Sequence, residues 1–338
     1  MPDRRDRTVW ILGGAVVVLV AVVAVLVTVV VLGRSDGDDR PARATGPAST
    51  PATTSATTGP GASNAPGSRS SGTTVTDNVT LDDRTMQEGI IQRQYLVMAP
   101  KSVKAGTRLP VVMVLHGLGF DRFSISKAAD WAGAVARDGF IAVFPQGVLN
   151  SWNAGPCCPP ASLATVDDVG FLERVVADLG QRPDVDPERL YLTGFSNGGI
   201  MTYAMACARP TMFAAVAPMS GTNLGGCAPA RPVSLLHMHG DPDPVVPYDG
   251  QLTLSQLLSS ADFPPVPESV AAWAAASGCD TTPRTTTAPG PVTTERWKGC
   301  GAGTKVELIT YPGNGHNWPT GPVDGLTELL RFFDLQPS

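Results

Sequence analysis

Seven short runs rich in Val, Ile and Leu recur along the chain, at residues 95–98, 111–115, 140–144, 190–193, 214–218, 235–238 and 306–311. Several lack the polar alternation of a half-exposed strand and read as strands buried on both faces. Helical patterns lie between them, at 125–136, 199–208, 269–276 and 323–335, with a further one opening near Thr165. There Thr165 reads as an N-cap with Asp168 three residues on, and Val169, Leu172, Val175, Val176 and Leu179 mark one face. Strands that alternate with helices predict an α/β domain with a mostly parallel, doubly wound sheet. The 259 residues of 80–338 suffice for one such domain with a single core.

The remainder of the 338 residues reads differently. Residues 9–32 are free of charge and almost all Val, Leu, Ala or Ile, and as a helix they would span about 36 Å. That length crosses a hydrocarbon core of about 30 Å, and it exceeds the apolar region of a secretory signal. The expectation is a signal anchor at 9–33 behind a cytoplasmic tail at 1–8, so that the membrane is a partner. Arg4, Arg5 and Arg7 before the run balance Arg34, Arg40 and Arg43 after it, so positive charge does not set the orientation. Residues 34–79 are dominated by Ser, Thr, Pro, Gly and Ala, a composition that buries too little apolar surface to offset chain entropy, and read as a flexible stalk.

Six cysteines without a C-x-x-C spacing, in a chain with only four histidines, favour disulfides in an oxidising compartment over a zinc site. This breaks the tie and places the 80–338 domain outside the cytoplasm. Cys279 and Cys300 bracket a Thr- and Pro-rich segment and are expected to pair, with the pairing of Cys157, Cys158, Cys207 and Cys227 left open. A net charge of −5 excludes a nucleic-acid binder of the basic-patch kind.

The chemistry is carried by Gly194-Phe195-Ser196-Asn197-Gly198, a G-x-S-x-G sequence with a buried strand before it and a helix after it. Glycines there allow a strained turn that lifts the Ser196 hydroxyl above the sheet, and the helix N-terminus aims its free N–H groups at the reacting centre. A serine needs a base, and in elbow-type hydrolases the chain order is Ser, then acid, then His. Of His116, His237, His239 and His316, only His316 is both late and in a loop after the last strand. Asp241 and Asp243 both stand between Ser196 and His316, each before a proline, and the residue pattern alone does not choose between them. The oxyanion donors expected are the amides of Asn197 and of Leu118, the latter in the Gly117 loop after residues 111–115, with His116 as scaffold. The alternation His237-x-His239-x-Asp241-x-Asp243 faintly suggests a metallo-hydrolase, but a metal site needs more ligands than it offers. The expectation is no metal and no cofactor, with His237 a core or supporting residue and Asp168 a helix-start carboxylate.

These residues resemble the polyhydroxybutyrate depolymerase-type esterases of the α/β-hydrolase superfamily, which shade into feruloyl and acetylxylan esterases. The likeness covers about residues 92–333. It rests on Leu115-His116-Gly117, Ser151-Trp152-Asn153-Ala154-Gly155 with Cys157-Cys158, Asp167-Asp168-Val169-Gly170-Phe171, the elbow, the 239–248 segment and Gly315-His316-Asn317-Trp318-Pro319. The resemblance implies an α/β-hydrolase fold and Asp243 as the acid, and it suggests Trp152 and Trp318 as substrate-pocket residues. It differs from many secreted polymer depolymerases in having no separate polymer-binding domain in this sequence. The leading expectation is a membrane-anchored serine esterase on the outer face, with an ester as substrate. An acyltransferase on the same site and a non-catalytic envelope-binding module are the alternatives.

Overall fold

The parallel strands predicted from the apolar runs do form the middle of the molecule, because a strand flanked by helices on both faces can be apolar throughout. The computed structural model describes residues 68–75, 78–251, 262–288 and 290–336. Eleven strands build one sheet: β1 (Arg69–Val75), β2 (Val79–Glu88), β3 (Ile91–Pro100), β4 (Leu109–Leu115), β5 (Ile141–Pro145), β6 (Val185–Phe195), β7 (Ala215–Met219), β8 (Ser234–Gly240), β9 (Arg284–Thr287), β10 (Thr293–Trp297) and β11 (Val306–Tyr311). Their order is β1-β2-β3-β5-β4-β6-β7-β8-β11-β10-β9. From β5 to β11 every neighbouring pair is parallel. The strands outside that block pair antiparallel.

Among the described residues six helices accompany the sheet: α1 (Arg122–Ile125), α2 (Trp131–Asp138), α3 (Asp168–Leu179), α4 (Asn197–Ala208), α5 (Val266–Ala276) and α6 (Gly325–Phe332). Leu172 and Val175 of α3, Ile200 of α4 and Trp273 of α5 share one core with Met113, Leu192 and Leu235. Trp131 and Val135 of α2 and Leu329 and Leu330 of α6 share the other with Val114, Met238 and Ile309. Successive residues of a strand face opposite sides, so Leu235 enters the first core and Leu236 the second. The chain turns from building leftward to building rightward between β4 and β6. In a doubly wound sheet the crevice at that switch, beyond the carboxyl ends of the strands, is where ligands bind.

Three expectations are corrected here. The folded part starts before residue 80: β1 pairs with β2, and Ser68 donates from its backbone and its hydroxyl to Asp178, at 3.0 and 2.8 Å. An edge strand such as Arg-Ser-Ser-Gly-Thr-Thr-Val needs no apolar face, so composition alone reads it as stalk. The helix expected at 125–136 is two helices, since Asp121 and Asp130 each accept an amide as N-caps, from Ser124 and Gly133. The helix expected to be capped by Thr165 is capped by Asp167, which accepts from the Gly170 amide at 2.9 Å. The anchor at 9–33, the tail at 1–8 and residues 34–67 of the stalk lie outside the described residues. Among the described residues no helix is long and apolar enough to cross a membrane.

All six cysteines are paired: Cys157 with Cys158, Cys207 with Cys227, and Cys279 with Cys300. The last pair closes a loop of 21 residues that carries the β9–β10 hairpin, whose outer strand is wholly exposed. Closing a loop of that size removes entropy from the unfolded chain worth about 3 kcal/mol. The double variant Cys279→Ser/Cys300→Ser should therefore melt roughly 5–10 °C lower in calorimetry, with ester hydrolysis at room temperature retained. A melting point within 1 °C of the parent would contradict that account.

Candidate active site

Four loops at the carboxyl ends of β4, β6, β8 and β11 meet at the switch crevice. Between β6 and α4, Ser196 sits at φ 57° and ψ −120°, a left-handed backbone conformation that side chains rarely adopt. The surrounding glycine is required: a Cβ on Gly198 would collide with the carbonyls of Leu115 and His116. This close packing brings the loop after β4 against Ser196, where a Cβ on Gly117 would lie 3.3 Å from Ser196 Cβ. Ser196 remains partly accessible to solvent.

His316 follows β11 and Asp243 follows β8, and the parallel pairing of β8 with β11 sets their loops side by side. Gly240 permits this, since a Cβ there would strike the Asn314 carbonyl. His316 Nε2 lies 2.8 Å from Ser196 Oγ, and its Nδ1 lies 2.7 Å from Asp243 Oδ2. Asp243 Oδ1 accepts from the amides of Val245 and Val246, at 2.8 and 2.9 Å. Burial pushes the Asp243 carboxyl up, but the hydrogen bonds from His239 and His316 outweigh it and hold the group well below the usual carboxylate range. Asp243 is therefore an anion that fixes the imidazole with Nδ1–H toward it and leaves Nε2 free to accept from the Ser196 hydroxyl. Asp241 is exposed, and its Oδ1 accepts from the Gly313 amide at 2.9 Å.

The amides of Leu118 and Asn197 face no protein acceptor among the described residues, and bracing holds both. His116 Nε2 accepts from the Gly147 amide at 2.9 Å, so its proton is on Nδ1, which donates to the Gly117 carbonyl at 2.8 Å. The peptide is planar, so fixing the Gly117 carbonyl fixes the opposed N–H of Leu118. The Asn197 side chain pairs with the backbone of Trp152, accepting at 2.7 Å and donating at 3.1 Å. The Trp152 indole in turn donates to the His116 carbonyl at 2.9 Å. Trp152 is fully buried, which corrects its assignment to the substrate pocket: it is a strut beneath the loop. Trp318 is partly buried and packs edge-on against Trp131, with ring centroids 6.0 Å apart. Asp168 lies at the start of α3, but its carboxylate works at longer range, pairing with Arg93 at 2.6 Å and accepting from the Asn153 amide at 2.7 Å.

His116 carries a stability cost at low pH. Burial pushes its imidazole down to about 4 from an ordinary 6.5. Between those values the unfolded chain holds a proton that the folded chain does not, so stability falls as pH drops from about 6.5 to about 4 and the loss is complete below that. The span corresponds to a loss on the order of 3 kcal/mol. Urea midpoints measured from pH 7 to 4 should fall for the parent protein and fall distinctly less for a folded His116→Gln variant.

Known proteins resemble this chain in sequence and in fold. The profile of the prolyl oligopeptidase family matches residues 165–224, the segment that contains α3, β6, the Ser196 turn and α4. An acetyl xylan esterase from Aspergillus awamori superposes with a TM-score of 0.50 at 16% identity, over 72% of this chain and 94% of that one, a likeness of fold. Feruloyl esterase B of Piromyces equi is 32% identical over 235 residues, 66% of this chain, and the chain spans 42% of that relative's length. The Nocardia uniformis subsp. tsuyamanensis protein named "Putative esterase NocK" is 30% identical over 282 residues, 78% of this chain and 81% of the relative. The chain belongs to the same family as this esterase, on an α/β-hydrolase fold.

In this family member, sequence reasoning missed the side-chain role of Asn197, the strut formed by Trp152, and the contacts of His239. The last left a signal. His237 and His239 are two apart on a strand, so both imidazoles face one side.

Proposed function

We propose that the protein is an extracytoplasmic serine carboxylic-ester hydrolase, acting through an acyl-enzyme on acetyl or feruloyl esters of small or carbohydrate alcohols. The observation that carries this reading is the continuous line Ser196–His316–Asp243, at 2.8 and 2.7 Å, beside the braced amides of Leu118 and Asn197. Ser196 Oγ attacks the ester carbonyl carbon while its proton passes to His316 Nε2. The resulting oxyanion accepts hydrogen bonds from Leu118 and Asn197, each donor worth about 10²–10³ in rate. Collapse expels the alcohol, which takes the proton from His316, and water repeats the sequence to release the acid.

Exposed apolar side chains on the loops at this edge, among them Leu118, Phe120 and Leu149, suit an aryl or short alkyl acyl group. Gly119 donates to the Asn150 carbonyl at 2.8 Å, which joins the first two to the third. Three disulfides support an oxidising compartment, and the apolar run at 9–32 supports a tether to the membrane. Such a tether favours soluble or envelope-bound esters over solid polyester.

The test is a rate panel of p-nitrophenyl acetate, methyl ferulate, acetylated xylan and crystalline polyhydroxybutyrate, with labelling of Ser196 by a fluorophosphonate probe. Soluble and carbohydrate esters should be hydrolysed faster than granules are cleared. Faster clearing of granules would overturn the substrate assignment, and failure of Ser196 to label would overturn the mechanism.

A further inference from the structure

Next to Asp243, three buried residues that the acyl-transfer scheme does not use form a line. Tyr203 of α4 and His237 and His239 of β8 are each at most 1% exposed. The Tyr203 hydroxyl lies 2.7 Å from His237 Nδ1, and His237 Nε2 lies 3.0 Å from His239 Nδ1. His239 Nε2 lies 2.9 Å from the Val246 carbonyl and 3.3 Å from Asp243 Oδ2. The two imidazole planes are within 5° of parallel.

The direction of every hydrogen bond in this line follows from its Asp243 end. His239 Nε2 faces a carbonyl and a carboxylate, both acceptors only, so the proton of that ring is on Nε2. A neutral imidazole has one N–H, so His239 Nδ1 accepts and His237 Nε2 donates to it. The same step makes His237 Nδ1 an acceptor and the Tyr203 hydroxyl its donor. Burial supports the neutral forms, pushing His237 well below its ordinary range and Tyr203 well above its own. With a single N–H on His239, at Nε2, the line is a one-way chain of dipoles whose positive ends all point toward Asp243.

We infer that His239 is a positioning residue for Asp243, held in its working tautomer by His237 and Tyr203. Its N–H serves both Asp243 Oδ2, the oxygen shared with His316, and the carbonyl of Val246, whose own amide holds Asp243 Oδ1. It touches neither Ser196 nor the reacting carbonyl, so whatever it contributes passes through the carboxylate. The inference rests on the reading of Ser196, His316 and Asp243 given above.

The experiment measures kcat and KM for p-nitrophenyl acetate in the full chain, with melting curves to verify folding. His239→Leu should lower kcat about 10- to 100-fold with KM within twofold, as loss of one donor to a buried charge implies. His239→Gln, whose amide reaches the Nε2 position, should recover most of that loss. Tyr203→Phe, which removes only the hydroxyl, should lower kcat about 3- to 10-fold. In an Asp243→Asn background, His239→Leu should add less than twofold, because the two residues act as a unit.

A folded His239→Leu protein with wild-type kcat overturns the inference, as does a Gln variant no better than Leu. An undiminished His239→Leu effect in the Asp243→Asn background overturns it too. Should His239→Leu fail to fold, Tyr203→Phe decides, and an unchanged kcat there counts against the relay. Retained activity in Asp243→Asn alone would instead refute the reading of the site on which the relay depends.

Discussion

Ser196→Ala and His316→Ala are each expected to abolish hydrolysis of p-nitrophenyl acetate while leaving the melting temperature close to that of the parent. Without the hydroxyl there is no atom to carry the acyl group. Without the imidazole, 2.8 Å from that hydroxyl, nothing within reach takes its proton. Because the two groups act as a unit, either change alone should cost on the order of 10⁶ in kcat, and combining them should cost little more. Both side chains are only partly buried, and neither carries core packing, so the fold should tolerate the loss. Purified variants assayed with active-site titration would check this, since titration separates true residual turnover from contaminating wild-type enzyme. More than about one per cent of wild-type rate in either folded variant would require a different nucleophile or base.

Asp243→Asn should cost about 10⁴ in kcat, the scale of loss known when a carboxylate behind a catalytic histidine becomes an amide. An amide can turn its N–H toward His316, which then presents a lone pair at Nδ1 and carries its proton on Nε2, where it cannot accept from Ser196. Asp241→Asn should cost less than about threefold, because Asp241 is exposed and an amide oxygen can still accept from Gly313. The pair of variants is decisive because the two aspartates are two residues apart in one loop. If the ranking were reversed, the hydrogen bond between Asp243 and His316 would not be the one that supports turnover.

Much of this architecture is legible in the sequence, and the reason is burial. The strands of the parallel block lie between helices on both sides, so runs such as Val111–Leu115 and Leu235–Met238 announce themselves as unbroken apolar stretches. The outer strands do not. β9 reads Arg-Thr-Thr-Thr and is exposed along its whole length, and β1 reads Arg-Ser-Ser-Gly-Thr-Thr-Val, so neither carries a pattern that separates it from a loop. Ser196 is conspicuous because its strained turn demands glycines on either side. His316 follows from its late position in a loop.

The supporting groups are hidden for a different reason. Asn197 and Trp152 meet across 45 positions, and nothing local to either shows that one braces the other. Trp152 stands in a stretch that resembles active-site loops of related esterases, which suggests a pocket wall. Burial, and the acceptor that its indole finds, decide its role instead. The split of the helix expected at 125–136 was readable in principle, since Asp121 and Asp130 are both strong N-caps, but the apolar spacing across them is continuous enough to mask the break.

The span of chain between Ser196, Asp243 and His316 has a consequence for how the protein comes into being. Ser196 and His316 lie 120 positions apart and Asp243 and His316 lie 73 apart, and the second pair meets only when β11 has docked beside β8 in parallel register. Parallel pairing across so much chain carries a large loop-closure entropy and comes late in folding. In a refolding experiment, helix signals and hydrophobic collapse should return well before any ester is cleaved. Catalytic competence in this molecule is thus a property of the finished sheet, and the return of turnover times the arrival of its last central strand.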